Sequence, residues 1–443
     1  MSEPEPRHLT ELRAGAIGFA GALAQPRSAE EVSLLVKACA AARIGIVPWG
    51  GGTGLVQGQV SRDGPPPLLI SLERMNIVRS TYPLENMMIA EAGVTVQSAQ
   101  DAARSVGRLY PLSLASEGSA TVGGTLATNA GGLNVLRYGN ARDLCLGLEV
   151  VMPDGAIWNG LKRLRKDNTG YDIKDLLIGA EGTLGIITAA ALRLFPQPGK
   201  EATALIQVDG PAKALELLSK TLEMFGSSVS AFELISGQGL DFIAEALPEV
   251  RRPFSVSPQW LVLIDVEAAE PAEMLAELYE QAGLTGEALI SKSEADREKF
   301  WNIRELIPEA NRKIGSVLSN DISIPLSQIP EFMTRAEAKI HAIGPFRINA
   351  FGHLGDGNLH YNIFPPKGGR KESYADQKEI LLRAINDLVA EYQGSFSAEH
   401  GIGRVKVGEL ERYESPVKLD LMRKIKQAFD PLGIMNPGAV LRA

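Results

Sequence analysis

This chain of 443 residues has little cysteine, no long apolar run and no excess of positive charge. Its two cysteines, Cys39 and Cys145, lie far apart, and no Cys-x-x-Cys pair occurs. This excludes a disulfide framework and a cysteine-based zinc or iron–sulfur site. No segment reaches the ~18 apolar residues of a membrane span. The net charge of −8 argues against nucleic acid or an anionic membrane as partner. We therefore expect a globular protein of the reducing cytoplasm.

One stretch near the start resembles a targeting signal. Residues 14–24 are small and uncharged and end in Ala22-Leu23-Ala24, a sequence that a signal peptidase could cut. The residues before this stretch carry three glutamates against two arginines, whereas a signal peptide begins with a basic region. We therefore predict a first helix or loop here, with a signal peptide as the alternative.

A break rich in proline and glycine divides the chain. Pro196, Pro198 and Gly199 follow one another closely, and we place a domain boundary at 199. Beyond it, short apolar segments alternate with amphipathic ones such as residues 211–225. This alternation predicts an α+β domain with helices against one face of a sheet. The length allows two or three domains, at ~150 residues each.

Glycine is abundant, and part of it concentrates in three loops. Residues 48–55 read Pro-Trp-Gly-Gly-Gly-Thr-Gly-Leu, and similar stretches cover 116–132 and 179–188. Successive N–H groups without a Cβ nearby can form an anion-binding nest, and Thr53 adds a hydroxyl. A tight turn is the alternative, but it would not need four glycines in five residues. Neither a Rossmann fingerprint nor a P-loop occurs. Several extended loops indicate a long ligand such as a dinucleotide.

Three of the five histidines lie in glycine-flanked segments late in the chain. His353 and His360 are seven residues apart, which would put them on opposite faces of an unbroken strand. A turn at residues 355–357 would bring both imidazoles to one point. With Glu399 they would form a metal site with open positions, as catalytic zinc sites do. Iron or manganese would fit equally. The alternative is a set of hydrogen-bonded core histidines.

The order of these segments resembles the vanillyl-alcohol-oxidase/p-cresol-methylhydroxylase family of FAD flavoproteins. The matching segments are Pro48–Leu55, Gly118–Gly124, Ala127–Gly132 and Gly182–Ile187. The chain is most similar to the branch that holds D-lactate dehydrogenase, D-2-hydroxyglutarate dehydrogenase and one of the glycolate oxidase subunits. The resemblance implies an α+β fold, with an FAD-binding domain of two α+β subdomains and a cap domain with an antiparallel sheet.

The same resemblance assigns the domains and the cofactor contacts. It implies an FAD-binding domain over 1–198, a cap domain for substrate and metal over 199–410, and a segment over 411–443 that returns to the flavin domain. Non-covalent FAD is expected, because His8, the only histidine before residue 341, lies outside the motifs. We read His8 and His341 as surface residues. The implied FAD-binding residues are Gly50, Gly51, Gly52, Thr53, Gly54, Leu55, Gly118, Ser119, Gly123, Gly124, Thr128, Asn129, Gly185, Ile187 and Asn436.

The resemblance also implies roles around the histidine cluster. His353, His360 and Glu399 match metal ligands, with zinc expected first, and His400 matches the catalytic histidine. The expected reaction oxidises a D-2-hydroxyacid to the 2-oxoacid. The metal would chelate the substrate and lower the hydroxyl pKa, His400 would contact the substrate and take the proton, and hydride would pass from Cα to flavin N5.

Two further residues are expected to contact the substrate. Arg304 matches a substrate-binding arginine, whose planar fork suits a carboxylate; by sequence alone it would be an arginine on a helix surface. Asn362, two residues after His360, could hydrogen-bond a substrate oxygen. Asp356 and Asn358 are better candidates for the turn or for contacts behind the metal ligands.

Departures from the family pattern bear on the substrate. D-2-hydroxyglutarate dehydrogenases have a threonine four residues after the arginine and a lysine shortly before the aspartate that matches Asp321. Here these positions are Pro308 and Ser319. Both family residues help to hold the distal carboxylate, so we expect a smaller acid such as D-lactate, with D-2-hydroxyglutarate as the alternative. Ala439 also replaces a lysine that often follows Asn-Pro-Gly.

The sequence says little about the electron acceptor and the oligomeric state. An external electron acceptor is expected, and quinone, electron-transferring flavoprotein and oxygen all remain open. The oligomeric state is also open, with a homodimer as one possibility. A competing reading from another class is a non-catalytic flavin subunit that only transfers electrons. The set of His353, His360, Glu399 and His400 argues against it.

Overall fold

A computed structural model describes residues 1–12, 15–251, 253–254 and 256–442. Arg13 and Ala14, in the region that resembles a targeting signal, lie outside the described residues. The chain forms two compact units. Unit 1 comprises Met1–Gly132, Tyr138–Gln197 and Glu399–Ala443, and unit 2 comprises Leu133–Arg137 and Pro198–Ala398. The functional division into an FAD-binding domain and a cap domain stays a prediction.

The strands of both units are numbered along the chain. Those of unit 1 are β1 (Ala22–Ala24), β2 (Ile46–Trp49), β3 (Leu68–Ser71), β4 (Val78–Tyr82), β5 (Met87–Glu91), β6 (Arg108–Leu109), β7 (Cys145–Val151), β8 (Ile157–Asn159), β9 (Ile186–Arg193) and β10 (Phe195–Pro196). Those of unit 2 are β11 (Glu201–Val208), β12 (Val229–Ser236), β13 (Trp260–Glu267), β14 (Ala288–Ile290), β15 (Leu318–Ser323), β16 (Arg347–His353) and β17 (Asn358–Phe364).

The helices follow the same scheme. They are α1 (Pro6–Leu9), α2 (Ala29–Ala42), α3 (Val96–Ser105), α4 (Val122–Ala127), α5 (Val135–Tyr138), α6 (Ile173–Leu177), α7 (Pro211–Phe225), α8 (Gly237–Ala246), α9 (Pro271–Gln281), α10 (Glu294–Ile314), α11 (Ile329–Ile343), α12 (Lys378–Glu391), α13 (Val407–Tyr413) and α14 (Pro416–Phe429).

Unit 1 contains a parallel sheet of order β1-β3-β2 and an antiparallel sheet of order β4-β5-β9-β7-β8. Ser28, followed by Glu30 and Glu31, predicts the start of a helix. Helix α2 begins there, and the Ser28 side chain accepts a hydrogen bond from the Glu31 N–H. Its buried residues Val32, Val36 and Cys39 belong to the core around the parallel sheet. The sequence Pro153-Asp154-Gly155 predicts a hairpin turn after an apolar strand, and it joins the antiparallel pair β7 and β8.

Two expectations about the start of the chain are wrong in part. Residues 22–24 are neither helix nor loop but strand β1, which pairs with β3. His8 is not a surface residue: it is completely buried and meets Trp49 edge-on, with ring centroids 4.7 Å apart. The chain around Arg7, which forms an ion pair with Glu73, holds it there. His341, in contrast, is exposed as expected.

Unit 2 is built on an antiparallel sheet of order β14-β11-β13-β12-β16-β17-β15. One face carries apolar residues such as Phe232, Leu234 and Tyr361 and packs under α7, α9, α11 and α12. The other face carries Ile235 and Phe351 and packs in part under α8 and α10. The expected α+β class with an antiparallel sheet is confirmed, but helices lie on both faces of this sheet, not on one.

The helices also bear on membrane insertion. In the ranges that the structure describes, no helix combines the length and the apolar character needed to cross a bilayer.

Candidate functional site

The two predicted metal-binding histidines lie on one β-hairpin of unit 2. β16 ends at His353, a turn of 3₁₀ helix follows, and Gly357 takes a φ of +82° before β17 begins. His360 pairs across the hairpin with Phe351, which faces the same side of the sheet as His353, two residues further on. The ring centroids of His353 and His360 are 5.7 Å apart. The expected turn is thus present, and it brings the two imidazoles together.

Glu233, on β12, joins the histidine to the predicted substrate-binding arginine. Its Oε1 lies 2.5 Å from Nδ1 of His353, and its Oε2 accepts a 2.6 Å hydrogen bond from Nε of Arg304. Burial raises the pKa of this carboxyl, but His353 and Arg304 together hold its pKa down, at about 2. Glu233 is therefore an ionised carboxylate that fixes both side chains.

Glu233 was not predicted from the sequence. The signal was present, because Glu233 is the one charged residue in an eight-residue strand that is buried at every position. A buried carboxylate needs charged or hydrogen-bonding partners. In metal sites, a ligating histidine usually gives its other ring nitrogen to such a carboxylate. The Glu233 contact occupies Nδ1 of His353, so a metal would bind through Nε2. The donor set therefore fits a divalent metal.

Arg304 is buried, not on a helix surface. It projects from α10 with 5% of its surface exposed, and its guanidinium carbon lies 4.8 Å from the centroid of the Phe351 ring. Its two terminal nitrogens donate to no residue in the described part of the chain, so the fork can still receive a carboxylate. Pro308 lies inside α10 and has no N–H to donate to the Arg304 carbonyl, one turn earlier.

Asp321, on β15, and Asn358, on β17, lie near His360. The carboxylate oxygen Oδ1 of Asp321 lies 3.9 Å from Nδ1 of His360. Nδ2 of Asn358 donates to the same oxygen of Asp321 at 2.9 Å and to the Ile322 carbonyl at 2.9 Å. These contacts fit a role for Asn358 behind the ligands.

Neutral side chains continue this face of the sheet beyond His360. Asn362 lies two residues along β17 and pairs with Asn349 on one side and Ser319 on the other. The Asn349 amide is itself bonded to Ser236 and to Asn311, each at 2.8 Å. We call Asn349, Asn362 and Ser319 the neutral row. None of its three members carries a charge.

The first glycine loop of unit 1 presents backbone donors. Among the described residues, none accepts a hydrogen bond from the N–H groups of residues 51–54. A Cβ at Gly51 would overlap the Ser119 carbonyl oxygen, and Gly52, with φ +71°, lies against the Trp49 ring. The first loop therefore packs backbone to backbone against the second loop. Such a cradle of unused donors fits an anionic group such as the pyrophosphate of FAD.

Several predicted FAD-binding residues are also used by the fold itself. Ile187 is 6% exposed in the apolar core. A Cβ at Gly123 would lie 2.6 Å from Cβ of Ala92, and one at Gly185 would lie 2.8 Å from Cγ1 of Val150. The roles of these three residues in FAD binding stay predictions.

The polar candidates make internal hydrogen bonds. Thr128 donates to the Gly124 carbonyl at 3.1 Å, and Oδ1 of Asn129 accepts from the Arg142 N–H at 3.0 Å. The Asn436 side chain makes three hydrogen bonds to protein groups. The remaining candidates, Gly50, Thr53, Gly54, Leu55 and Gly118, lie in the loops themselves.

Glu399 and His400 open the last segment of unit 1. Oε1 of Glu399 accepts a hydrogen bond from the Gly132 N–H at 3.0 Å. His400 is half-buried. Their roles as metal ligand and base stay predictions.

Comparisons with known proteins identify the family. Residues 197–440 match FAD linked oxidases, C-terminal domain, and residues 20–160 match FAD binding domain. The chain belongs to the FAD-linked oxidase family. The chain also has solved structural neighbours at low identity. It superposes on p-cresol methylhydroxylase with a TM-score of 0.78 at 17% identity, covering 99% of this chain and 92% of that one. The predicted fold family is thereby confirmed.

Relatives of higher identity define the branch. The chain is 36% identical to the protein named D-2-hydroxyglutarate dehydrogenase, mitochondrial, of Bos taurus, over 99% of this chain and 80% of the relative. It is 34% identical to the D-2-hydroxyglutarate dehydrogenase of Stutzerimonas stutzeri (strain A1501), over 95% of this chain and 91% of the relative. It is therefore an FAD-linked D-2-hydroxyacid dehydrogenase, acting on a CH–OH donor.

Proposed function

We propose that this enzyme converts a D-2-hydroxyacid with a short, uncharged tail, such as D-lactate, to the 2-oxoacid. We further propose that it does so with a divalent metal, zinc first, held by His353, His360 and Glu399. The observation that carries the proposal is Glu233. This one carboxylate holds both the imidazole of His353, on strand β16, and the guanidinium of Arg304, on helix α10.

Arg304, Asn362 and His400 would contact the part of the substrate that carries its carboxylate and its hydroxyl. When bound, FAD would supply the two-electron acceptor for the Cα–H bond and the metal would supply a Lewis acid. The terminal nitrogens of Arg304 would bind a substrate carboxylate, and Asn362 would hydrogen-bond a substrate oxygen. His400 would take the hydroxyl proton as general base. The reduced enzyme would pass its electrons to an external acceptor, a quinone or an electron-transferring flavoprotein.

The neutral row supports a short, uncharged tail. A second substrate carboxylate would need a cation to offset the loss of its hydration. Near His360 the row offers Asn349, Asn362 and Ser319, and the residue four positions after Arg304 is Pro308, without a polar side chain. Amide and hydroxyl groups accommodate a methyl or hydroxymethyl tail without leaving a charge unpaired.

The second candidate substrate is D-2-hydroxyglutarate. It is favoured by the names of the relatives, which are 34–36% identical over nearly the whole chain. In that case Arg304 would be the cation for one of the two carboxylates.

Anaerobic flavin reduction of the purified holoenzyme tests the proposal. We expect D-lactate to bleach the flavin faster than D-2-hydroxyglutarate, L-lactate not to bleach it, and chelation with confirmed metal loss to stop the reaction. His353→Ala should behave like the chelated enzyme, and His341→Ala, at an exposed histidine, like the wild type.

Each part of the proposal can fail separately. Faster bleaching by D-2-hydroxyglutarate would select the second candidate. Full reduction after complete metal removal would refute the metal role. A panel of D-hydroxyacids without any response would favour the non-catalytic electron-transfer subunit.

A further inference from the structure

Glu181 is a buried carboxylate of unit 1 that accepts hydrogen bonds from the backbone shortly after His400. Its Oε1 accepts a 2.7 Å hydrogen bond from the Ile402 N–H, and its Oε2 accepts a 2.8 Å hydrogen bond from the Gly403 N–H. Glu181 is 9% exposed. Both carboxylate oxygens therefore hold backbone two and three residues beyond the predicted base.

The loop after His400 is shaped around this carboxylate. Gly401 and Gly403 have φ values of +78° and +51°, a left-handed conformation that turns successive N–H groups toward one anion. A Cβ at Gly401 would lie 2.7 Å from Oε1 of Glu181, and one at Gly403 would overlap the Val56 carbonyl oxygen. Neither position has room for a side chain, so the backbone path and the carboxylate fit one another.

Glu181 is itself held rigidly. Its N–H donates to the Ala127 carbonyl at 2.7 Å, and its carbonyl accepts from Nδ2 of Asn436 at 2.8 Å. It also takes a φ of +51°, which is unfavourable for a residue with a side chain and persists only where surrounding contacts impose it. Glu181 lies in the third glycine loop, at residues 179–188.

Arg404 anchors the far end of the same loop. Its Nη1 donates to the carbonyls of Gln57 and Gly58 at 2.9 and 2.7 Å, and its Nη2 donates to Oδ1 of Asn436 at 2.7 Å. These hydrogen bonds fix the chain at residue 404 through partners other than Glu181. Glu181 supplies the side-chain contacts to the backbone N–H groups of residues 402 and 403, which lie between this anchor and His400.

We propose that Glu181 is a positioning residue that places His400 by fixing the N–H groups of Ile402 and Gly403. The inference rests on the proposed function, in which His400 is the base. A base must lie within hydrogen-bond reach of the proton that it takes. Its displacement by 1 Å can cost about 10²-fold in rate.

The first test is a double-mutant cycle on the holoenzyme. Glu181→Gln keeps the shape but turns an amide NH₂ toward a backbone N–H. We expect kcat with the best substrate to fall about 10²-fold with KM within about twofold, and Glu181→Asp to recover part of the loss. In a His400→Gln background, Glu181→Gln should cost less than about twofold, because the base it positions is already absent. Equal losses in both backgrounds would refute the positioning role.

The second test does not depend on turnover. Hydrogen exchange of the peptide spanning residues 400–406 should speed up in Glu181→Gln, with flavin content unchanged, and stay at the wild-type rate in Glu85→Gln, at an exposed glutamate of the same unit. Unchanged exchange in Glu181→Gln would refute the proposal. Wild-type activity in His400→Gln would instead refute the proposed base, and exchange would then decide alone whether Glu181 orders the loop.

Discussion

The two units build their candidate sites from different materials. In unit 1 the first glycine loop offers backbone N–H groups, and its close packing leaves no room for a Cβ at Gly51. In unit 2 the candidate site consists of side chains on the sheet and on helix α10, and the single carboxylate of Glu233 holds His353 and Arg304. One site depends on the absence of side chains, and the other depends on charges that neutralise one another.

This difference predicts different kinds of failure. A backbone cradle tolerates changes of charge nearby but not an added methyl group that moves the chain. A buried set of charges tolerates small changes of shape but not the loss of one member, because the remaining charges stay buried without a partner. The two units should therefore respond separately to substitutions.

The largest effect is expected for Glu233→Ala. The substitution would leave His353 and Arg304 buried without their shared anion, which costs about 3–5 kcal/mol when one partner of a buried pair is removed. We expect a lower free energy of unfolding by denaturant and loss of bound metal. Glu245→Ala removes a partly exposed pair with Arg347 and should cost under about 1 kcal/mol. Equal costs would contradict the central role of Glu233.

A smaller effect is expected for Gly51→Ala. The new Cβ would overlap the Ser119 carbonyl, so the loop must shift and its N–H groups must lose their common direction. We expect FAD affinity, measured by flavin fluorescence on titrating the apoprotein, to fall more than about tenfold, or ~1.4 kcal/mol.

The matched control for that variant is Gly210→Ala, where a Cβ meets nothing within 4 Å and the backbone is extended. It should bind FAD like the wild type. Metal content should be unchanged in both variants. Loss of metal in Gly51→Ala would contradict the expectation that the two candidate sites respond separately.

Local patterns predicted much of this molecule. The helix over residues 211–225 is α7 with the same bounds, and Ser28 caps α2 as its position suggested. The turn between His353 and His360 could be inferred because glycine permits the φ of +82° at Gly357. Each of these features is decided by neighbours within a few residues.

Features that depend on distant partners were not predicted. Glu233 meets its histidine across 120 residues of sequence, and Glu181 meets the backbone after His400 across more than 200. A helix around Arg304 was expected, but the burial of Arg304 was not, because it depends on Glu233 and Phe351 in distant strands. The burial of His8 depends on Trp49 and Glu73, which no local pattern links to it.

The smallest expected effect concerns the two cysteines, both in unit 1. Cys39 and Cys145 are 4% and 3% exposed, and burial raises the pKa of both thiols, that of Cys145 to about 12. At pH 8 the thiolate fraction of Cys145 is then on the order of 10⁻⁴, and the thiolate is the reactive form. An aromatic disulfide reagent should therefore label neither thiol of the native wild type within minutes, and it should label both thiols in denaturant.

The same two thiols report on unit 1 in the variants. We expect the reagent to label the Gly51→Ala variant faster than the wild type at the same pH. It should label the Glu233→Ala variant faster only to the extent that this substitution also unfolds unit 1. Faster labelling of Glu233→Ala below its unfolding transition would show that the two units do not respond separately.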